Sequence, residues 1–236
     1  MPIRLRALRG VLAVALLLGG CGLISSDITK VTFDLPDQTY SFDTSKWVNL
    51  PPAAAGQTFP SIQCSADSDC CTLGQAVQIN CSTTPLVCAS NACNADLPES
   101  QYTAVNLAMQ VPALATFPGH SLVNVSVASV TYKVTSNTLN VDVPAIQVYL
   151  APDGVTDPHA DGAVLFGTLP VIPAGSTPTG AMTKAPGADA AFQMFTKNVS
   201  TTFNIIAATT VVIAPGTPVP HGAITVTVGG AVSAQL

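Results

Sequence analysis

Residues 123–134 read Val123-Asn124-Val125-Ser126-Val127-Ala128-Ser129-Val130-Thr131-Tyr132-Lys133-Val134. Valine holds the odd positions 123, 125 and 127. The apolar residues then move to the even ones, Ala128, Val130, Tyr132 and Val134. Alternation with period two is the pattern of a half-buried strand. A change of parity inside an unbroken run is what one bulged residue produces, because each inserted residue exchanges the two faces. The stretch therefore predicts a long, bulged β-strand, and its neighbours follow suit.

Downstream, Leu139, Val141 and Val143 alternate, and Ile146, Val148 and Leu150 resume in the opposite parity after Pro144, a residue suited to a strand edge or bulge. Residues 151–184 are rich in Gly, Pro and Asp and read as loop. Residues 188–197 are the one plausible helix, with Phe192 and Phe195 three apart on one face. The run Phe203 to Ile213 is apolar on both faces, as a central strand requires. Ile224, Val226 and Val228 form a last strand before Gly229-Gly230. Upstream, Val105, Leu107, Met109 and Val111 alternate, and Val31 to Leu35 and Tyr40 to Phe42 read as a hairpin turning at Pro36-Asp37. About eight short strands joined by turns predict an all-β antiparallel β-sandwich with a small disulfide-rich insertion. A transmembrane barrel needs strands of ~9–11 residues and aromatic girdles; aromatics make up 6% of this chain.

Only 9% of residues are charged, against ~25% in an ordinary domain. Arg4, Arg6 and Arg9 are the only arginines, so the chain beyond them keeps five lysines against thirteen acids, a net −8. A surface without arginine lacks the phosphate-neutralising groups of a nucleic-acid binder and the bidentate clamp of a nucleotide site. Both roles are excluded.

The three arginines precede an apolar stretch from Val11 to Leu18, too short for the ~20 residues that span a bilayer. Leu18-Gly19-Gly20-Cys21 follows. This leader resembles the lipobox of bacterial lipoproteins. The resemblance implies that residues 1–20 are removed, that Cys21 is lipidated, and that Gly22 directs the protein to the outer membrane. Each buried methylene contributes ~0.8 kcal/mol, so one chain anchors marginally and several anchor stably. Beyond the leader the chain divides into residues 21–46 (tether and first strands), 47–63 (connector), 64–93 (cysteine-rich insertion) and 97–236 (sandwich body).

Cys64, Cys70, Cys71, Cys81, Cys88 and Cys93 fall within thirty residues. In an exported chain this density predicts three disulfides, with connectivity left open. No C-x2-C pair and no His in the segment supports a zinc site. Asp157-x-His159-x-Asp161-Gly162, with Asp153 nearby, is similar to the opening of a calcium loop. Thr168 stands where the closing Glu belongs, and a polar turn explains the same residues. These four residues are the metal candidates, with Ca2+ the cofactor they would hold and a transition metal on His159 the alternative. Gly119-His120-Ser121 lacks the last glycine of a nucleophile elbow. Glu99, the single Glu, lies between Pro98 and Ser100 and is expected to be solvated; Trp47 reads as a core or interface anchor.

These readings favour a membrane-anchored, non-catalytic lipoprotein that binds an envelope protein or supports the bacterial cell envelope. The alternatives are an extracytoplasmic hydrolase and a module for glycans or small ligands.

Overall fold

The computed structural model describes residues 30–46, 57–76, 81, 85–115 and 122–235. Cys21, Trp47 and His120-Ser121 lie outside them. Two antiparallel sheets pack together. Among the described residues ten strands build them: β1 (Lys30–Asp43), β2 (Leu86–Ala89), β3 (Ala92–Val105), β4 (Val123–Asn137), β5 (Ile146–Pro152), β6 (Val164–Leu169), β7 (Thr179–Ala181), β8 (Thr183–Lys184), β9 (Phe203–Ile213) and β10 (Ala223–Gln235). One sheet has the order β1-β10-β4-β7, the other β2-β3-β9-β5-β6-β8. Helices α1 (Asp67–Ala76), α2 (Leu107–Gln110) and α3 (Ala188–Phe195) connect them.

The parity change in β4 is a bulge. Ser129 faces Ala231 and Val127 faces Val232, so Ala128 is the additional residue. Val125, Val127, Val130, Tyr132 and Val134 are all buried, while Ala128 itself is exposed. β9 lies between β3 and β5, which is why its sequence is apolar on both faces. Phe33, Tyr40, Phe42 and Val226 from the first sheet meet Ile146, Val148, Leu150 and Phe203 from the second in the main core. Phe192 of α3 closes one end, with its ring 6.2 Å from those of Phe166 and Phe203.

Several expectations are corrected. Residues 31–42 form one strand and no hairpin: Leu35 faces Gly230 and Gln38 faces Val228, so Pro36 and Asp37 together oppose Gly229 as a bulge. Residues 105–111 are not a continuing strand. β3 ends at Val105, and Asn106 accepts from the Met109 N–H to start α2, which puts Leu107 and Val111 on one helical face. Residues 139–143 form no strand of their own; Val143 makes only a bridge to Ile172. The loop-rich stretch 151–184 contains β6, β7 and β8. The final strand runs through Gly229-Gly230 to Gln235.

Free sheet edges are short or interrupted. β2, β7 and β8 have four, three and two residues, and β1 carries the Pro36-Asp37 bulge. Brief, kinked edges resist pairing with other chains. Where β4 runs past β7, Asp189 of α3 accepts from the Val127 N–H at 3.0 Å. Lys184 donates to the Val127 carbonyl and pairs with Asp189 at 3.0 Å. The backbone groups exposed beside the bulge thus find partners on side chains.

Candidate functional site

The cysteine-rich segment is tied into the six-stranded sheet. β3 crosses the expected boundary at residues 93–97, pairing with β2 at one end and with β9 from Ala95 onward. Ser90 and Asn91, both at positive φ, make the tight turn of the β2–β3 hairpin. Cys88 and Cys93 face each other across it. Each bonds outward: Cys88 to Cys64 (Cα–Cα 5.9 Å) and Cys93 to Cys70 of α1 (5.4 Å). Asp69 accepts from the Ser65 and Ala66 N–H groups to cap α1, and Asp67 accepts from the Cys88 N–H at 2.7 Å. Phe59, Ile62, Leu86, Leu97, Val211 and Ile213 surround the bonds as a second small core.

The expectation of three disulfides is met for two. Cys71 and Cys81 are free thiols, half-buried and in hydrogen-bond contact with each other. Cys64, Cys70 and Cys93 are the only group of three or more potential metal ligands brought within 4.8 Å among the described residues, and all three are consumed in disulfides.

The calcium-loop candidates Asp153, Asp157, His159 and Asp161 do not converge. Asp157 instead accepts from the His159 N–H at 2.8 Å, and Gly154 and Gly162 take positive φ. This is the polar-turn geometry. Thr168 lies in β6, paired with Gln147 and Thr183, and so is no part of that loop. The turn folds back on the sheet, where Asn204 donates to the Val155 carbonyl at 2.9 Å and leaves its own buried Oδ1 without a partner.

Two surface features escaped sequence reasoning. The first is a groove of about 560 Å³ on the outer face of the four-stranded sheet. The bulges of β1 and β4 meet there beside Gly229-Gly230, and Asp34, Asp37, Ser129 and Thr131 line it. A Cβ on Gly229 would fall 2.2 Å from Asp37 Oδ1, so the glycine is what leaves room for that carboxylate. The groove offers two carboxylates and two hydroxyls, with no His, Lys or Cys in its lining. The Gly-Gly pair inside an alternating strand was the available signal.

The second is a cross-strand row on the outer face of the six-stranded sheet: Tyr102, Ile206, Tyr149 and Leu165, directly opposite one another on β3, β9, β5 and β6. Tyr102 is 56% exposed while Ile206, between the tyrosines, is fully shielded. Tyr149 donates its hydroxyl to Gln147. The next row is Ser100, Ala208, Gln147 and Thr168, which is uncharged.

Glu99 is corrected as well. It shares the inner face of β3 with Leu97 and Gln101 and is half-buried, at the junction of the two cores. Burial pushes its carboxyl up to about 7. No family model, no curated protein and no solved structure matches this chain.

Proposed function

We propose that this chain is a lipid-anchored, non-catalytic component of the bacterial cell envelope, held at the outer membrane through Cys21 and acting by binding or structural support. The observation that carries the reading is the leader: Arg4, Arg6 and Arg9, the apolar run to Leu18, and Gly19-Gly20-Cys21. β1 begins at Lys30. The nine residue steps from Cys21 span at most about 30 Å at ~3.4 Å each, which keeps the body near the bilayer. Crossed disulfides and blunted sheet edges suit a rigid body outside the cytoplasm. Loops projecting from such a scaffold are the natural recognition surface for an envelope protein. Envelope fractionation of wild type and Cys21→Ser tests the proposal. Wild type should sediment with membranes and the variant should be soluble; a variant that still sediments refutes the anchor.

The Tyr102–Tyr149 row favours a second reading, a module that binds neutral glycan. Adjacent strands lie ~4.8 Å apart, so the two tyrosines stand roughly 10 Å apart on one face of the sheet. Aromatic rings offer sugars an apolar surface, and the uncharged Ser100, Gln147 and Thr168 offer hydrogen bonds. Co-sedimentation with an insoluble neutral polysaccharide such as chitin tests it. Replacing both tyrosines with Ala should weaken binding at least about tenfold, ~1.4 kcal/mol. Equal retention of wild type and variant rejects the row as the site.

A further inference from the structure

Two of the expected three cross-links are in place, and the geometry of the remaining pair points to the third. Cys70 and Cys71 are consecutive in α1, so their side chains leave the helix about 100° apart. Cys70 points inward, fully buried, to its bond with Cys93. Cys71 is thereby directed elsewhere, and the side chain it meets is Cys81, whose thiol hydrogen-bonds with it. Every other cysteine of the segment is already bonded. We propose that Cys71 and Cys81 are joined in the exported protein as a third disulfide, one that is opened from solvent before the enclosed 70–93 bond.

The step is a thiol–disulfide exchange with an oxidised protein disulfide of the envelope. One thiol loses its proton and attacks that disulfide, giving a mixed disulfide and expelling a thiolate of the oxidant. The second thiol loses its proton and attacks the mixed disulfide. The Cys71–Cys81 bond forms, and the oxidant leaves as a dithiol carrying the two electrons and two protons. Burial, and after it the neighbouring Cys71, pushes the Cys81 thiol up to about 11.

Accessibility sets the order of reduction. Cys70 and Cys93 are wholly enclosed, whereas Cys71, Cys81 and Cys88 are half-buried. An external reductant thus reaches the 71–81 bond before the 70–93 bond, because exchange requires in-line access to a sulfur. Opening it leaves the β2–β3 hairpin tied down by the other two bonds. The inference rests on the export half of the function proposed above.

The test is a non-reducing peptide map of the full chain, isolated from membranes with acid quench and alkylation. The expected map contains a Cys71–Cys81 cross-linked peptide, with neither residue alkylated. Full alkylation of both, or either found bonded to another cysteine, overturns the proposal. Graded reductant followed by a second alkylating label should then mark Cys71 and Cys81 before Cys70 and Cys93; labelling of Cys70 or Cys93 first overturns the ordering. The Cys71→Ser/Cys81→Ser double variant should keep the 64–88 and 70–93 peptides. If that variant does not accumulate, the wild-type map still decides. The same map reads residue 21, so an alkylated, unlipidated Cys21 beside an intact 71–81 bond separates failure of the anchor from failure of this inference.

Discussion

Replacing Glu99 with Gln should stabilise the protein above neutral pH and leave it unchanged in acid. Glu99 sits on the inner face of β3 opposite Thr209, whose hydroxyl is directed at the Pro144 and Ala145 carbonyls. Burial raises its carboxyl from the ordinary 4.5 to about 7. A group whose folded pKa lies above its unfolded value holds its proton more tightly in the native state. Between about pH 4.5 and 7 the unfolded chain therefore binds fewer protons, and stability falls as pH rises. Below that window both states are protonated and the contribution vanishes; above it the full penalty stands. A shift of that size corresponds to ~3.4 kcal/mol for a fully enclosed group. Glu99 is only half-buried, and solvent screening reduces the expected effect to roughly 1–2 kcal/mol. The assay is urea unfolding of the unlipidated Cys21→Ser protein, with and without Glu99→Gln, from pH 4 to 8.5. The variant's advantage should be near zero at pH 4, appear across pH 5–7, and level off. A difference that does not vary with pH, or a variant less stable at pH 8, refutes the assignment of Glu99 to a desolvated site.

Two further substitutions probe the frame. Gly222 has φ +105°, and a Cβ there would lie 2.2 Å from the Thr138 carbonyl oxygen. Gly222→Ala should therefore cost about 2–5 kcal/mol in denaturant unfolding, and a neutral result would contradict the turn before β10. Asp189→Ala removes the acceptor that holds the Val127 N–H and the partner of Lys184. It should cost about 1–2 kcal/mol, with Asp189→Asn recovering part of the loss because an amide oxygen still accepts; an Asn variant no better than Ala would count against the backbone contact.

Strand-forming stretches were legible wherever one face is buried along the whole element. In β4 the parity change at Ala128 located the bulge because burial on both sides of it is strict. β9 was legible as central because both faces carry apolar residues. Pro36-Asp37 was misread because a bulge and a hairpin turn use the same residue types, and only the pairing with Gly229 tells them apart. Leu107 and Val111 satisfy both a two-residue and a four-residue period. The Asn106 cap and the following Pro112 were the signals that favour a short helix. β6 was hidden because Gly167 replaces a strand-type side chain; a Cβ there would fall 2.5 Å from the Met182 methyl, so close packing requires the glycine.

The surface sites were less legible still, and for a single reason. Tyr102, Ile206 and Tyr149 are neighbours only through the register of three strands, and Asp34 meets Ser129 only across β10. Such juxtapositions depend on pairing that no local pattern encodes. The disulfide connectivity is of the same kind, since six cysteines admit fifteen pairings until α1 and the hairpin are placed.

The central claim, a β-sheet body fastened to the envelope by lipid on Cys21, is tested most directly by mass spectrometry of the N-terminal peptide from the membrane-purified protein. The account predicts that the peptide begins at Cys21 and carries a diacylglyceryl thioether with an acylated amine. A peptide beginning elsewhere, or an unmodified Cys21, would contradict it.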